Sequence, residues 1–449
     1  MSRAVCALLL PSHFGSYPLK ARSTNADTTH STTNPGTTND VTTNDVTTND
    51  VTTNDGTEET SRLTHYPTEG AIEGATGSPL AIAFAYTSFK WRNLARDNAG
   101  VSCVIVGLAR RTDMDGTPVL YSPPPNAPAS AAPFVAKEVP QISPYLTAQP
   151  AHTAPLFVEK STKPLCDLPK MIRGNAAVDD GHLLLESYEA RSVSEEIKPY
   201  LRPCISAKDF FNGKRRACLW ITDDYAEHAA SIPFIAERLE RVRTSRLKSK
   251  KAVTRAEAKT PWRFSGIRLP SSSCQSIFFI GQTNSEARPY ILTGLVSLNT
   301  IVLDPCFAFY DAPLWVGALI MSRLHRVWIE SVCGKLENRL RYSNTLGWNT
   351  FPVPALDNTA KATLTRLTEH IFLTQERYFP KTLAQLYKPD AMPKDLRALH
   401  QENDAFLETL YKTTFALKDA DFSDDEACRN TLFSLYAKKK ANPENPLFL

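Results

Sequence analysis

The chain has 449 residues, of which 42% are hydrophobic and 22% charged, with a formal net charge of +4. That length suits two or three domains with ordinary cores, and so weak a basic balance does not by itself point to nucleic acid. No apolar run reaches the roughly 20 residues of a membrane span, which argues against a helical membrane protein.

Nine cysteines are scattered along the chain, an odd number with no C-x-x-C pair. They read as reduced, buried thiols of a cytoplasmic protein, with no zinc site. The opening MSRAVCALLLPSHFG has a short apolar run ended by Pro11 and no clear cleavage site, a poor signal peptide.

Residues 32–56 are five five-residue units, TTNPG, TTNDV, TTNDV, TTNDV and TTNDG. A unit with at most one valine and no aromatic cannot bury enough surface to offset backbone entropy. Residues 1–79 are therefore expected to be disordered. The tract is either a linker or adhesive segment, or translated repetitive DNA at the edge of a reading frame.

Order is expected from Leu80. LAIAFAYTSFKW leads into VSCVIVGL, a continuous β-branched run that predicts a strand buried on both faces. Ten prolines and eight alanines between residues 118 and 155 mark a linker. From Pro164 to Pro354 the chain reads as a further domain. GHLLLES and RACLWIT predict short strands, and Ser192–Phe211 between them has helical spacing that ends at Asn212-Gly213, a turn signal. A helix is expected from Ser231, with Pro233 in its first turn. Strands are expected at Ser276–Gly281, Tyr290–Thr293 and Cys306–Tyr310, then one apolar helix over Pro313–Cys333. Residues 357–440 predict helices throughout, followed by a tail, ANPENPLFL, expected to fray.

Three stretches could carry chemistry. Nine Lys or Arg residues lie between Arg238 and Lys259, opposed only by Glu240 and Glu257. A one-sign stripe of that length suits duplex phosphates, but also suits a solvated helix face. In KLENRLRYSN, Glu337, Arg339 and Arg341 recur at period two, so an extended backbone puts them on one side. Arg can fork to guanine O6 and N7 and Glu can accept from cytosine N4, although surface salt bridging explains the same pattern. In FAYTSFKW, the aromatics before the strand suit core packing, or stacking on a base taken out of the duplex. The chain has no glycine-rich phosphate loop, G-x-G-x-x-G or H-E-x-x-H. His182, His228 and His325 read as surface or satisfied residues, and the pairs Asp179–Asp180 and Asp223–Asp224 as turns and caps.

The ordered segments AFAYTSFKWRNLARDNAGVSCVIVGL, ISPYL, KPLCDLPKMIRGNAAVDDGHLLL, LRPCISAKDFFNG, RACLWI and RYSNTLGWNTFPVP resemble MmeI-like (type IIL/IIG) restriction–modification proteins, single-chain DNA adenine methyltransferases. The resemblance covers about residues 80–440. It implies an α/β remnant of a methyltransferase sheet at 80–122, a linker at 123–136, an α+β target-recognition domain at 137–355 and an all-α C-terminal domain at 357–440.

It further implies that Glu337, Arg339 and Arg341, with the triplet Tyr342, Ser343 and Asn344, serve base recognition. Arg243, Arg246, Lys248, Lys250, Lys251 and Arg255 would contact phosphate, and Phe89 or Trp91 would stack on the target base. The implied partner is double-stranded DNA.

The family's methionine-binding glycine motif and Asn-Pro-Pro-Tyr motif lie upstream of anything here. No catalytic residue, metal ligand or bound cofactor is therefore expected of this chain alone, whereas the intact family uses S-adenosyl-L-methionine. Three readings stay open: a truncated DNA-recognition fragment, a methyltransferase active when assembled with a separately encoded N-terminal half, or a non-functional decayed gene product.

Overall fold

A computed structural model describes residues 6–11, 80–90, 102–124, 133–151, 156–336 and 339–449. The repeat tract, and most of the stretch expected to be disordered, lie outside the described residues. Strands β1 (Cys6–Pro11), β2 (Leu80–Lys90), β3 (Ser102–Arg110), β4 (Val119–Ser122) and β5 (Val135–Glu138) form one sheet in the order β1-β3-β2-β4-β5. Strand β3 pairs antiparallel with both β1 and β2, and β4 runs parallel to β2.

The β-branched run is a strand, as its composition dictates, and Val106 sits opposite Ala85 with both fully buried. Most of its other described residues are only half-buried. The expectation of burial on both faces fails because the described apolar cluster, Ala85, Leu120, Val139, Ile142 and Ala148, is small.

Residues 172–310 hold two four-stranded sheets. One orders Ile301–Val302, Leu201–Ile205, Arg216–Leu219 and Leu184–Glu186; the other orders Thr293–Val296, Ile277–Gly281, Cys306–Tyr310 and Ile172–Arg173. The strands expected from GHLLLES and RACLWIT are present. The helix expected over Ser192–Phe211 is not: that stretch holds a 3-10 turn (Lys198–Tyr200), the strand Leu201–Ile205 and a short helix (Ala207–Phe211). Pro199 and Pro203 interrupt the helical ladder, and Leu201–Cys204 finds antiparallel partners in Arg216–Leu219. Asn212-Gly213 is the expected turn, with Gly213 at a φ of 63° that a side chain would disfavour.

Helix α1 (Pro233–Leu247) begins at its proline and ends before Lys248; α2 (Ala252–Ala256) follows a four-residue break. The short strand β6 (Thr283–Asn284) precedes two helices, α3 (Trp315–Ile320) and α4 (Arg323–Val332), where one was expected. The break falls at Ser322, whose hydroxyl accepts from the His325 N–H at 3.1 Å and so caps a new helix start. Strands β7 (Gly334–Leu336) and β8 (Arg339–Arg341) come next. The C-terminal region is helical as expected: α5 (Asn358–Arg377), α6 (Lys394–Phe415) and α7 (Asp425–Ala441).

The largest core joins residues 156–356 to these helices, with Phe309, Trp328, Trp348, Tyr411 and Phe433 in one buried cluster. Gly317 lets α3 approach α5 closely, since a Cβ there would lie 2.6 Å from Thr368. The tail does not fray. Phe448 is buried, and the Leu449 N–H donates to the Val353 carbonyl at 3.0 Å while the Ala355 N–H donates to Leu447 at 2.8 Å. An apolar residue with a core slot and a backbone ladder outweighs terminal entropy.

Candidate nucleic-acid interface

The alternation in KLENRLR becomes a three-stranded sheet in the order β6-β8-β7. Arg341 lies opposite Gly334 on one side and Thr283 on the other, and Arg339 lies opposite Leu336. Leu340 points inward at 2% exposure and joins the main core, so Arg339 and Arg341 are both turned outward. Gly334 sets no side chain beside Arg341. Leu336 and Thr283 share the arginines' face by register, a neighbourhood that depends on strand pairing across long sequence separation. Glu337 lies outside the described residues.

The triplet after the arginines is turned into the protein. Tyr342 is fully buried and has no surface to offer a base edge. Its hydroxyl shares a 2.8 Å hydrogen bond with His325 Nε2, and its N–H donates to the Gln282 carbonyl at 2.7 Å. Burial pushes the His325 pKa down to about 3 and the Tyr342 pKa well up, so both are neutral. Ser343 Oγ accepts from the Leu346 N–H at 3.3 Å, and Asn344 Nδ2 donates to the Met171 carbonyl at 3.2 Å. All three residues tie the end of β8 to the protein interior.

The basic stretch is not one continuous helical stripe. Arg243 is exposed on α1 within 3.4 Å of Glu240; Lys248, Lys250 and Lys251 are exposed in the break, and Arg255 is exposed on α2. The Arg255 guanidinium donates to the Ser249 and Lys250 carbonyls, both at 2.8 Å, which fixes the break and gathers these charges.

Arg246 corrects the expectation of phosphate contact. It is 1% exposed, and its guanidinium donates to the carbonyls of Val178, Glu257, Thr260, Ala177 and Arg263 at 2.7–3.0 Å. Those five bonds use all five N–H donors of an arginine, leaving none for a phosphate. Nothing in the charge pattern separates Arg246 from its neighbours. The apolar rhythm does: Ile235, Leu239, Val242 and Arg246 recur at three and four and all face inward.

Phe89 meets Phe134 edge-on at 5.6 Å, while Tyr86 stacks on Tyr121 at 4.2 Å. Trp91 lies outside the described residues. Among the described residues of 80–124, the buried side chains Ala85, Val106 and Leu120 are apolar, and no glycine-rich turn faces them. These residues do not fit S-adenosyl-L-methionine. Among the described residues, no cluster of His, Cys, Asp or Glu could hold a metal, and no helix is long and apolar enough to cross a membrane.

Residues 73–122 match the family model of the MmeI DNA-methyltransferase domain, residues 152–355 that of the MmeI target recognition domain, and residues 356–440 that of the MmeI C-terminal domain. DNA methyltransferase A of Bacillus subtilis (strain 168) is 34% identical over 364 residues, which are 80% of this chain and 38% of that protein. A solved structure of the type IIL restriction–modification enzyme MmeI in complex with DNA is similar with a TM-score of 0.73 and 28% identity, over 81% of this chain and 46% of that one. The chain thus spans less than half the length of either relative. With three successive MmeI domain models across residues 73–440 and the fold of that enzyme, the chain belongs to the MmeI-like restriction–modification DNA methyltransferases.

Proposed function

We propose that this chain is the sequence-reading part of an S-adenosylmethionine-dependent, site-specific DNA adenine-N6 methyltransferase, acting on duplex DNA in the cytoplasm. The observation that carries the reading is the outward pair Arg339 and Arg341 on a strand pinned by buried Leu340 and Tyr342. Rigid presentation of two guanidinium forks at strand spacing suits major-groove base edges. Glu337 is assigned to the same reading segment. Arg243, Lys248, Lys250, Lys251 and Arg255 are assigned to phosphates, where charge positions the protein without reading sequence. Ser343 and Asn344 act with Tyr342 by holding the strand. Phe89 and Trp91 remain assigned to the side of the flipped base.

Selection of binding sites from random duplex DNA, followed by gel shifts at two salt concentrations, tests the reading. A selected motif with salt-sensitive binding is expected; binding without any motif would sink it. A second reading is favoured by the methyltransferase match being confined to residues 73–122: methyl transfer would use a methyltransferase portion carried on another polypeptide. Mixing the chain with such a portion should raise tritiated methyl incorporation above that of the portion alone.

A further inference from the structure

A run of buried and half-buried polar groups joins the recognition region to the C-terminal helices, and none of them is among the base or phosphate contacts proposed above. Asp404 lies on α6. One carboxylate oxygen accepts from the Arg323 N–H at 2.7 Å, and the other accepts from the Tyr290 hydroxyl at 3.0 Å. Arg323 is the first residue of α4, where backbone N–H groups have no partner within the helix. A carboxyl oxygen from another region supplies that partner. The Arg323 guanidinium then donates to Asp425 at 2.8 Å, to the Phe422 carbonyl at 3.1 Å and to Glu408 at 3.2 Å. Three carboxylates from α6 and α7 therefore hold the start of α4.

The same junction is stiffened behind Tyr290, whose ring stacks on His400 at 4.1 Å. His400 is fully buried, and burial lowers its pKa to about 3. Gln375 Nε2 donates to the Tyr387 hydroxyl at 2.7 Å, which leaves the Tyr387 proton for His400 Nε2 at 2.6 Å and the His400 Nδ1–H for the Met321 carbonyl at 3.3 Å. The Tyr387 hydroxyl proton and the His400 Nδ1–H thus each have an acceptor.

Two residues beyond Arg323, His325 meets the Tyr342 hydroxyl. His325 Nδ1 has no hydrogen-bond partner, and the ring is boxed by Phe351 at 4.6 Å and Trp348 at 5.8 Å. The bond to Tyr342 is thus the ring's polar tether, and Tyr342 directly follows Arg341. A continuous path runs from Asp404 through Arg323, α4, His325 and Tyr342 to the outward arginine.

We infer that Asp404 is a positioning residue for base reading: the C-terminal region fixes the first turn of α4, and α4 aims strand β8. This rests on the base-reading role proposed above. A reading strand needs placement within about 0.5 Å, so loosening α4 should blur discrimination while leaving phosphate attraction in place.

The test measures affinity of the full chain for a duplex bearing the selected motif and for an unrelated duplex, at one salt concentration. Asp404→Ala should lose about tenfold of the preference between them, with less than twofold change on the unrelated duplex. Asp404→Asn should restore most of the preference, because its carbonyl oxygen still accepts from the Arg323 N–H. Tyr342→Phe should show the same selective loss, and it decides alone if Asp404→Ala does not fold. Equal loss on both duplexes, or preference retained in these variants, overturns the inference. A wild-type protein with no preference would overturn the base-reading role and this inference with it.

Discussion

Arg246→Lys separates a structural arginine from a phosphate contact, because it keeps the charge and changes the number of donors. Arginine offers five N–H donors and lysine three. All five are used on buried carbonyls, so lysine leaves at least two without a partner. An unpartnered buried polar group costs about 1–3 kcal/mol. The expected loss is therefore about 2–4 kcal/mol, allowing for partial relaxation. It should appear locally, because the five carbonyls lie on residues 177–178 and on residues 257–263. Hydrogen exchange resolves this: amides in those segments should lose protection by about 30-fold or more, since 1.4 kcal/mol is a factor of 10. Arg243→Lys serves as the exposed control and should leave exchange unchanged. Unchanged protection in Arg246→Lys, together with weakened DNA binding, would refute the reasoning and return Arg246 to the phosphate contacts.

Arg339→Ala and Arg341→Ala should each relax preference at one base pair by about 1–3 kcal/mol in site-selection experiments, with little change on random DNA. Lys250→Ala should instead weaken all duplexes alike and lower the slope of log affinity against log salt by about 1; a base-specific effect would reverse that assignment. Burial raises the Asp404 pKa from 3.8 to about 7, with Glu408 raising it further and Arg323 and Tyr290 opposing. The folded state thus holds a proton that the unfolded chain releases earlier. The stability from this group is full below 3.8 and is lost as pH rises through about 7. The whole change is about 4 kcal/mol, of which about 2–3 kcal/mol falls between pH 5 and 8. Asp404→Asn should flatten that pH dependence in urea denaturation, and an unaltered slope would refute it. Phe448→Ala should destabilise the C-terminal region by about 3 kcal/mol and expose residues 442–449 to proteolysis; a tail that was already frayed would show neither effect.

Much of the recognition region was legible because its elements are local. GHLLLES, RACLWIT and the C-terminal helices carry their own period, turn signals and caps, and they stand where periodicity predicts. The failures have separate causes. Ser192–Phe211 has helical spacing, yet Leu201–Ile205 pairs with a strand that the spacing cannot see. The single apolar helix expected over Pro313–Cys333 splits because Ser322 can cap, an option that apolarity conceals. ANPENPLFL looks like a fraying end until Phe448 finds its slot against Phe415, 4.7 Å away.

The candidate interface divides the same way. Alternation in KLENRLR determines that Arg339 and Arg341 share one side of an extended segment, since side chains alternate along any strand. Charge density determines that residues 238–259 are basic. Which side of the strand faces outward depends on long-range packing, and so does what meets Arg246, whose inward direction the apolar rhythm of its helix already marks. Leu340 enters a core built from residues far away in sequence, and Arg246 is enclosed by carbonyls from two loops. The dependence of β8 on the C-terminal helices has no sequence signature at all. Asp404, Arg323 and Tyr342 are ordinary residues until the fold brings them into one path, because hydrogen bonds in a buried site are set by distance in space.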